Sequence, residues 1–327
     1  MKNKPILIVA GEPNSIFLEI FFKSINIKKF KNPLILICSL KILKLHMKKL
    51  KYKKKINIIK YLNLNNLKLN NKCINLVDIP YKPKAKLEKI TNKSNSYIRK
   101  SFEIALKIIR SGFSNKLING PISKKTFLKN KYLGITEYIA KNTATKKMAM
   151  LIYNKNLSVC PVTTHLSINK ISKTINKKII CEKVVLINNF YNKHLGLKPK
   201  IAITGLNPHS ESFDKKEDEK IIKPAINFLA KSGYRVSGPH SADTIFLKSN
   251  RKKYNVIIGM YHDQVLSPLK ALYEFDAINI TIGLPFIRIS PDHGPNERML
   301  GKNKSNPLSL IKAITFLDKN WLKLKKV

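Results

Sequence analysis

The sequence predicts an α/β protein organised around a mostly parallel sheet, and three observations carry this. Short apolar, β-rich runs recur along the chain, amphipathic helical patterns with their own stop signals separate them, and three of the runs end alike, in a polar turn followed by histidine. The runs are Pro5–Ala10, Pro33–Ser39, Lys116–Asn119, Leu157–Val162, Lys200–Thr204 and Asn255–Gly259. Each has the length of a strand and is too short for a helix.

The intervening helices are legible from their ends. Ser94 or Ser96 can cap a helix through Arg110, with Gly112 just beyond it; Glu217–Lys231 carries acids in its first turn and Gly233 after its end. A last helix runs from Leu308 towards Leu322. The Lys/Asn/Leu-rich stretch 41–73 has apolar residues at irregular spacing, and no internal repeat or Pro/Ser-rich linker marks a domain boundary.

At 327 residues the chain exceeds the roughly 250–300 at which single cores stop growing, which allows two domains. An apolar share of 43% with only 12 Gly and 16 Pro describes a folded globular chain. The first apolar run is shorter than a secretory signal core, and no stretch approaches the roughly 20 residues that cross a bilayer, so a cytoplasmic protein without a membrane partner is expected. Cys38, Cys73, Cys160 and Cys181 are widely spaced and form no C-x-x-C pair, which reads as buried thiols.

The 63 basic and 19 acidic residues give a net charge of +44. Lysine supplies most of it, even in unpatterned stretches, and no nucleic-acid module or aromatic stacking pattern accompanies it. Solvated lysine faces are therefore the expectation, with nucleic acid the weaker alternative. Such a surface attracts small phosphorylated substrates. The absence of G-x-x-x-x-G-K-[ST], of G-x-G-x-x-G after a strand and of G-x-S-x-G argues against a P-loop enzyme, an ordinary dinucleotide fold and a hydrolase elbow.

The chemistry concentrates in the runs that end in His165, His209 and His262. In a parallel sheet the carboxyl ends of the strands share one edge, where ligands bind, so these residues can converge although far apart in sequence. Three neutral imidazoles suit a first-row divalent ion and leave positions open for substrate. His46 and His194, in Lys-rich helical surroundings, are expected to be solvated; His240 and His293 lie in Pro/Gly-rich loops. Lys270, Asn279 and Arg288 border apolar turns and suit a phosphate or carboxylate, the arginine bidentately and the lysine as a point charge.

Several segments, in order along nearly the whole chain, resemble the 4-hydroxythreonine-4-phosphate dehydrogenases of pyridoxal phosphate (vitamin B6) biosynthesis. They are Gly11-Glu-Pro13, Asn119-Gly-Pro-Ile-Ser-Lys124, Gly134-Ile-Thr-Glu-Tyr138, Thr164-His-Leu166, Gly205-Leu-Asn-Pro-His209, Gly238-Pro-His-Ser-Ala-Asp-Thr244, Tyr261-His-Asp-Gln264 with Pro268-Leu-Lys270, and Gly283-Leu-Pro-Phe-Ile-Arg288 leading to Asp292-His-Gly294. The resemblance implies a two-domain fold like that of isocitrate and isopropylmalate dehydrogenases, with an inter-domain cleft. One α/β domain would comprise 1–130 with 300–327, and 131–299 would form the metal, substrate and dimerisation domain.

It further implies a homodimer with a shared active site. His165, His209 and His262 would hold zinc, magnesium or cobalt, one of them donated across the interface, and Thr136, Lys270, Asn279 and Arg288 would bind substrate. The implied reaction oxidises 4-phosphooxy-L-threonine with NAD, or alternatively NADP, and decarboxylates the product to 3-amino-2-oxopropyl phosphate. Asp243, Asp263 and Lys270 are the candidates for orientation or proton transfer. A sister activity on a related phosphorylated four-carbon acid is the alternative, because the family's histidine before Thr136 is replaced here by Ile135. The chain also departs from the family's pattern in Glu12-Pro-Asn-Ser-Ile-Phe-Leu-Glu19 and in Pro295-Asn-Glu-Arg-Met-Leu-Gly301.

Overall fold

The computed structural model describes residues 4–62, 64, 67–83, 89–128, 132, 134–210, 217–291 and 293–319, without the side chain of Lys124. Asp292, and the chain beyond 319 into which the last helix was expected to run, lie outside the described residues.

In chain order the elements are β1 (Ile6–Val9), α1 (Phe17–Ile27), β2 (Leu34–Cys38), α2 (Leu40–Lys49), β3 (Ile56–Ile58), β4 (Ile74–Asp78), α3 (Asn95–Arg110), β5 (Lys116–Asn119), α4 (Ile135–Asn142), β6 (Ala149–Tyr153), β7 (Ser158–Pro161), α5 (Ile171–Thr174), α6 (Lys177–Leu195) and β8 (Ile201–Thr204). They continue with α7 (Lys223–Lys231), β9 (Val236–His240), α8 (Lys248–Arg251), β10 (Val256–Gly259), α9 (His262–Tyr273), β11 (Ile278–Ile282), β12 (Ile287–Pro291) and α10 (Leu308–Asp318).

The chain divides into two compact units, one of Met1–Lys141 with Pro285–Asn320 and one of Asn142–Leu284. The divisions fall at 141/142 and 284/285. Local packing holds the flanking elements to the first unit: Tyr138 of α4 packs edge-on against Phe102 of α3, and β12 pairs in parallel with β5.

In the first unit the strand order is β3-β4-β2-β1-β5-β12, all parallel. Every residue of β1 and β2 is buried, as in a sheet covered on both faces. In the second unit the order is β11-β6-β7-β10-β8-β9. Here β6 runs antiparallel to both neighbours, while β7, β10, β8 and β9 are parallel. Its core packs Val159, Ala202 and Ile257 of the sheet against Val265 and Leu269 of α9.

Three local expectations need correction. The helix expected over Glu217–Lys231 begins with a π turn at Asp218–Ile222 before α7, and α10 stops at Asp318, because Lys319 is extended at ψ 139°. The irregular stretch 41–73 holds α2 and β3. His46 is also not solvated: it is a buried residue of α2 whose Nε2 lies 3.1 Å from the Pro13 carbonyl, and burial pushes its pKa down to about 4.

Candidate active site

The second unit gathers the histidines by strand order. His262 opens α9 straight after β10, whose parallel neighbours are β7, leading to His165, and β8, leading to His209. All three therefore follow the carboxyl ends of adjacent strands. Side chains pin these ends together. Gln264 Oε1 accepts from the Met260 amide (2.7 Å) and the Thr204 hydroxyl (2.9 Å), while its Nε2 donates to the Gly205 carbonyl (2.8 Å), so one side chain joins β8 to β10. Thr163 Oγ1 donates to the Met260 carbonyl at 2.7 Å and joins β7 to β10.

The loop before His209 is held by Asp218, which is fully buried. Its carboxylate accepts from the Leu206 amide (2.7 Å) and the Asn207 side chain (2.6 Å). A Cβ on Gly205 would stand 2.6 Å from Asp218 Oδ1, so the clamp closes only over glycine. Asp218 carries no motif signal, and Gln264, although it closes the matching segment Tyr261-His-Asp-Gln264, was given no role; sequence reasoning passed over both positioning roles.

The imidazoles of His165 and His262 lie 6.2 Å apart, centre to centre, tilted by 33°. Two imidazoles on one tetrahedral ion, with metal–nitrogen bonds of about 2.0–2.1 Å, would be separated by about 5 Å, so this pair is about an ångström from sharing a cation. His209 is exposed, in the left-handed region at φ 57°. Among the described residues no three His, Cys, Asp or Glu side chains form a group that could hold an ion. One chain thus brings together a pair of the three histidines.

Asp263 and Asp243 lie beside two of these histidines. His262 Nδ1 donates to Asp263 Oδ1 at 2.7 Å, a contact in which Asp263 is 78% exposed. Asp243 accepts from the Ser241 hydroxyl at 2.6 Å; that bond, reinforced by the Thr244 backbone amide, lowers its pKa. Lys270, two turns along α9 from His262, is half-buried, and burial lowers its pKa. Asn279 sits in β11, where its buried Oδ1 has no hydrogen-bond partner among the described residues. His240 is engaged through Nε2 by Ser237 (2.9 Å) and Tyr254 (3.2 Å).

The first unit holds the other two expected substrate contacts together. Arg288, in the middle of β12, is 0% exposed. Its Nε donates to Asn119 Oδ1 at 2.7 Å and its Nη1 to Thr136 Oγ1 at 3.1 Å. Burial pushes the guanidinium down to about 9 against the opposing pull of Glu137, whose Oε2 is buried with no hydrogen-bond partner among the described residues. Glu12, at the carboxyl end of β1, accepts from Ser94 Oγ at 3.2 Å and leaves Oε1 buried and unpartnered among the described residues, as is His293 Nε2.

A parallel-sheet α/β chain with imidazoles at adjacent strand ends and a buried arginine defines an enzyme for a small anionic substrate. Comparison with known proteins makes this particular. The family described as "Pyridoxal phosphate biosynthetic protein PdxA" matches residues 29–317, and the chain belongs to that family. A 4-hydroxythreonine-4-phosphate dehydrogenase of Sulfurihydrogenibium sp. is 36% identical over 321 residues, covering 94% of this chain and 96% of that one. A D-threonate 4-phosphate dehydrogenase of Salmonella typhimurium is 30% identical over 321 residues, covering 95% and 97%. The solved 4-hydroxythreonine-4-phosphate dehydrogenase of Klebsiella pneumoniae superposes with a TM-score of 0.81 at 26% identity, covering 97% of each chain. The α/β fold class expected from the resemblance, like that of isocitrate and isopropylmalate dehydrogenases, is the one found.

Proposed function

We propose that the chain is a 4-hydroxythreonine-4-phosphate dehydrogenase, oxidising 4-phosphooxy-L-threonine with NAD and releasing carbon dioxide to give 3-amino-2-oxopropyl phosphate. Family membership together with the histidines on adjacent strand ends carries the reading. It works in the cytoplasm as a homodimer, and the second copy supplies the ligand that one chain does not bring to the pair.

His165, His209 and His262 would hold the divalent ion, and the spacing of His165 and His262 fits such a donor set. A divalent cation there lowers the pKa of the substrate hydroxyl and stabilises the charge that develops on decarboxylation. Asp263 fixes the ring of His262 through Nδ1 and thereby the direction of Nε2. Arg288 and Thr136 take phosphate oxygens, with Lys270 and Asn279 completing the anion contacts and holding the reacting carbon still. Lys270, its ammonium made less basic by burial, is placed to pass a proton, and Asp243 is the second candidate. The carboxyl edge of the first unit's sheet, where Glu12 Oε1 and His293 Nε2 are buried without partners among the described residues, suits the polar groups of a nicotinamide cofactor, which accepts the hydride.

Ile135 favours a second reading. Without an imidazole at that position the site loses a polar substrate contact, and D-threonate 4-phosphate, on which the Salmonella relative is named to act, is the competing substrate. One assay separates the two: NADH formation with each phosphorylated acid, with and without a chelator. Chelator-sensitive turnover of 4-phosphooxy-L-threonine with the higher kcat/KM supports the main reading; turnover of D-threonate 4-phosphate alone replaces it.

A further inference from the structure

A cavity of about 540 Å³ opens in the first unit where β2 and β4, parallel neighbours, begin at Leu34 and Ile74. This is the amino-terminal edge of the sheet, whereas Glu12 and Asn119 stand at its carboxyl edge. The volume is that of an ordinary small-molecule site. Phe21 of α1, Phe30, Leu34 and Ile74, all of them buried, give it an apolar lining. Lys28, Lys29, Lys54 and Lys72 line it as well.

The side-chain amides of Asn71 and Asn75, which also line the cavity, are occupied within the fold. Asn71 Oδ1 accepts from the Leu34 amide at 2.8 Å, and its Nδ2 donates to the carbonyls of Phe30 and Asn32, both at 2.9 Å. Asn75 Nδ2 donates to the carbonyls of Leu34 (3.1 Å) and Asn70 (2.8 Å). Tyr52 stacks on Phe22 with ring centres 4.4 Å apart and donates to Asn26 Oδ1 at 3.1 Å, which holds the chain just before Lys54 against α1. These contacts form the cavity in advance of any ligand.

The lysines are placed differently. Among the described residues no carboxylate lines the cavity, and none of the four ammonium groups makes an ion pair; Lys28 Nζ donates to the neutral Thr315 hydroxyl at 3.0 Å. Single lysines on a chain of net charge +44 need no partner. Four that line one apolar concavity repel one another and focus a positive field into it, which an anion relieves, while their methylene stems extend the apolar lining. We propose that this cavity binds a small amphipathic anion, with its apolar body against Phe21, Phe30, Leu34 and Ile74 and its phosphate or carboxylate among the lysines. The site is independent of the dehydrogenase reading.

The probe is anilinonaphthalenesulfonate, an aromatic anion whose fluorescence rises when it leaves water, titrated into the full chain. Replacing two lysines together, Lys54→Gln with Lys72→Gln, should weaken its binding about tenfold, the scale of a lost charge-assisted contact. Lys252→Gln, just after α8 in the second unit, should leave it unchanged. Cys73→Trp, which places a ring in the cavity, should abolish binding; if near-UV circular dichroism shows that this variant does not fold, Ile25→Trp fills the cavity from α1 instead. Phenyl phosphate and benzoate should displace the probe while phenol does not, and the stronger of the two anions identifies the head group. Displacement by phenol as effective as that by the anions would overturn the proposal. So would wild-type affinity in the folded double variant, or loss of binding in Lys270→Gln alone, which would put the anion at the candidate active site.

Discussion

Replacing Glu12 by glutamine should make the protein more stable at alkaline pH and flatten its pH dependence. The carboxyl is 2% exposed, and burial raises its pKa from the ordinary 4.5 to about 7, against the lowering effect of the Ser94 hydroxyl and the Asn14 amide and with a small further push from Glu297. The folded state therefore holds this proton more tightly than the unfolded chain does. Below pH 4.5 both states are protonated and the group costs nothing. Between 4.5 and 7 the unfolded chain ionises while the folded one resists, so stability falls with rising pH, and above 7 the loss levels off at about 3 kcal/mol. Over pH 5–8 the stability of wild type relative to Glu12→Gln should decline by about 2–3 kcal/mol. Urea unfolding of both proteins at pH 5, 6, 7 and 8 measures it. Curves of equal slope against pH, whatever their vertical offset, would show that Glu12 titrates normally.

Three further outcomes are expected. Because Arg288 must be charged to hold phosphate and its pKa lies near 9, kcat/KM should fall about tenfold per pH unit above that point while kcat holds, as read from initial rates between pH 7 and 10.5. His209→Ala should abolish metal binding, followed by equilibrium dialysis with cobalt or zinc, together with turnover; activity retained with bound metal would remove His209 from the ligand set. Gln264→Leu leaves the Met260 amide and the Gly205 carbonyl without their side-chain partner and should cost about 2–4 kcal/mol in unfolding experiments, with weaker metal binding.

What the sequence disclosed follows from which signals are local. Fully apolar runs such as Ile6–Val9 and Val256–Gly259 announce buried parallel strands, because every residue of each is buried. The histidines were visible because each closes such a run, and Arg288 because arginine among apolar residues requires an anion or an acceptor. β3 escaped notice because its residues are half-buried or exposed at the edge of the sheet, so its composition matches the surrounding lysine-rich chain. β12 was hidden by Arg288 itself, a charge inside a strand whose acceptor lies 169 residues earlier. The same holds for the roles of Asp218 and Gln264: their partners lie on other elements, and an amide or carboxylate meant for a backbone group looks like any surface residue until the sheet and its loops are assembled. His46 misled for the opposite reason, since its lysine neighbours on α2 face solvent while its own position faces inward.

The placement of the three imidazoles also bears on when in the protein's life an ion can enter. His165, His209 and His262 follow three strands that are neighbours in space but are drawn from nearly a hundred residues of chain, with β10, the last to be synthesised, between the other two. No pair of donors exists until that central strand has been inserted, so the ion has no nascent fragment to organise, unlike in a zinc finger, where metal and fold arrive together. On the proposed ligand set, a cation would meet a sheet already assembled by apolar burial, so refolding in the presence of a chelator should proceed at the rate seen without one.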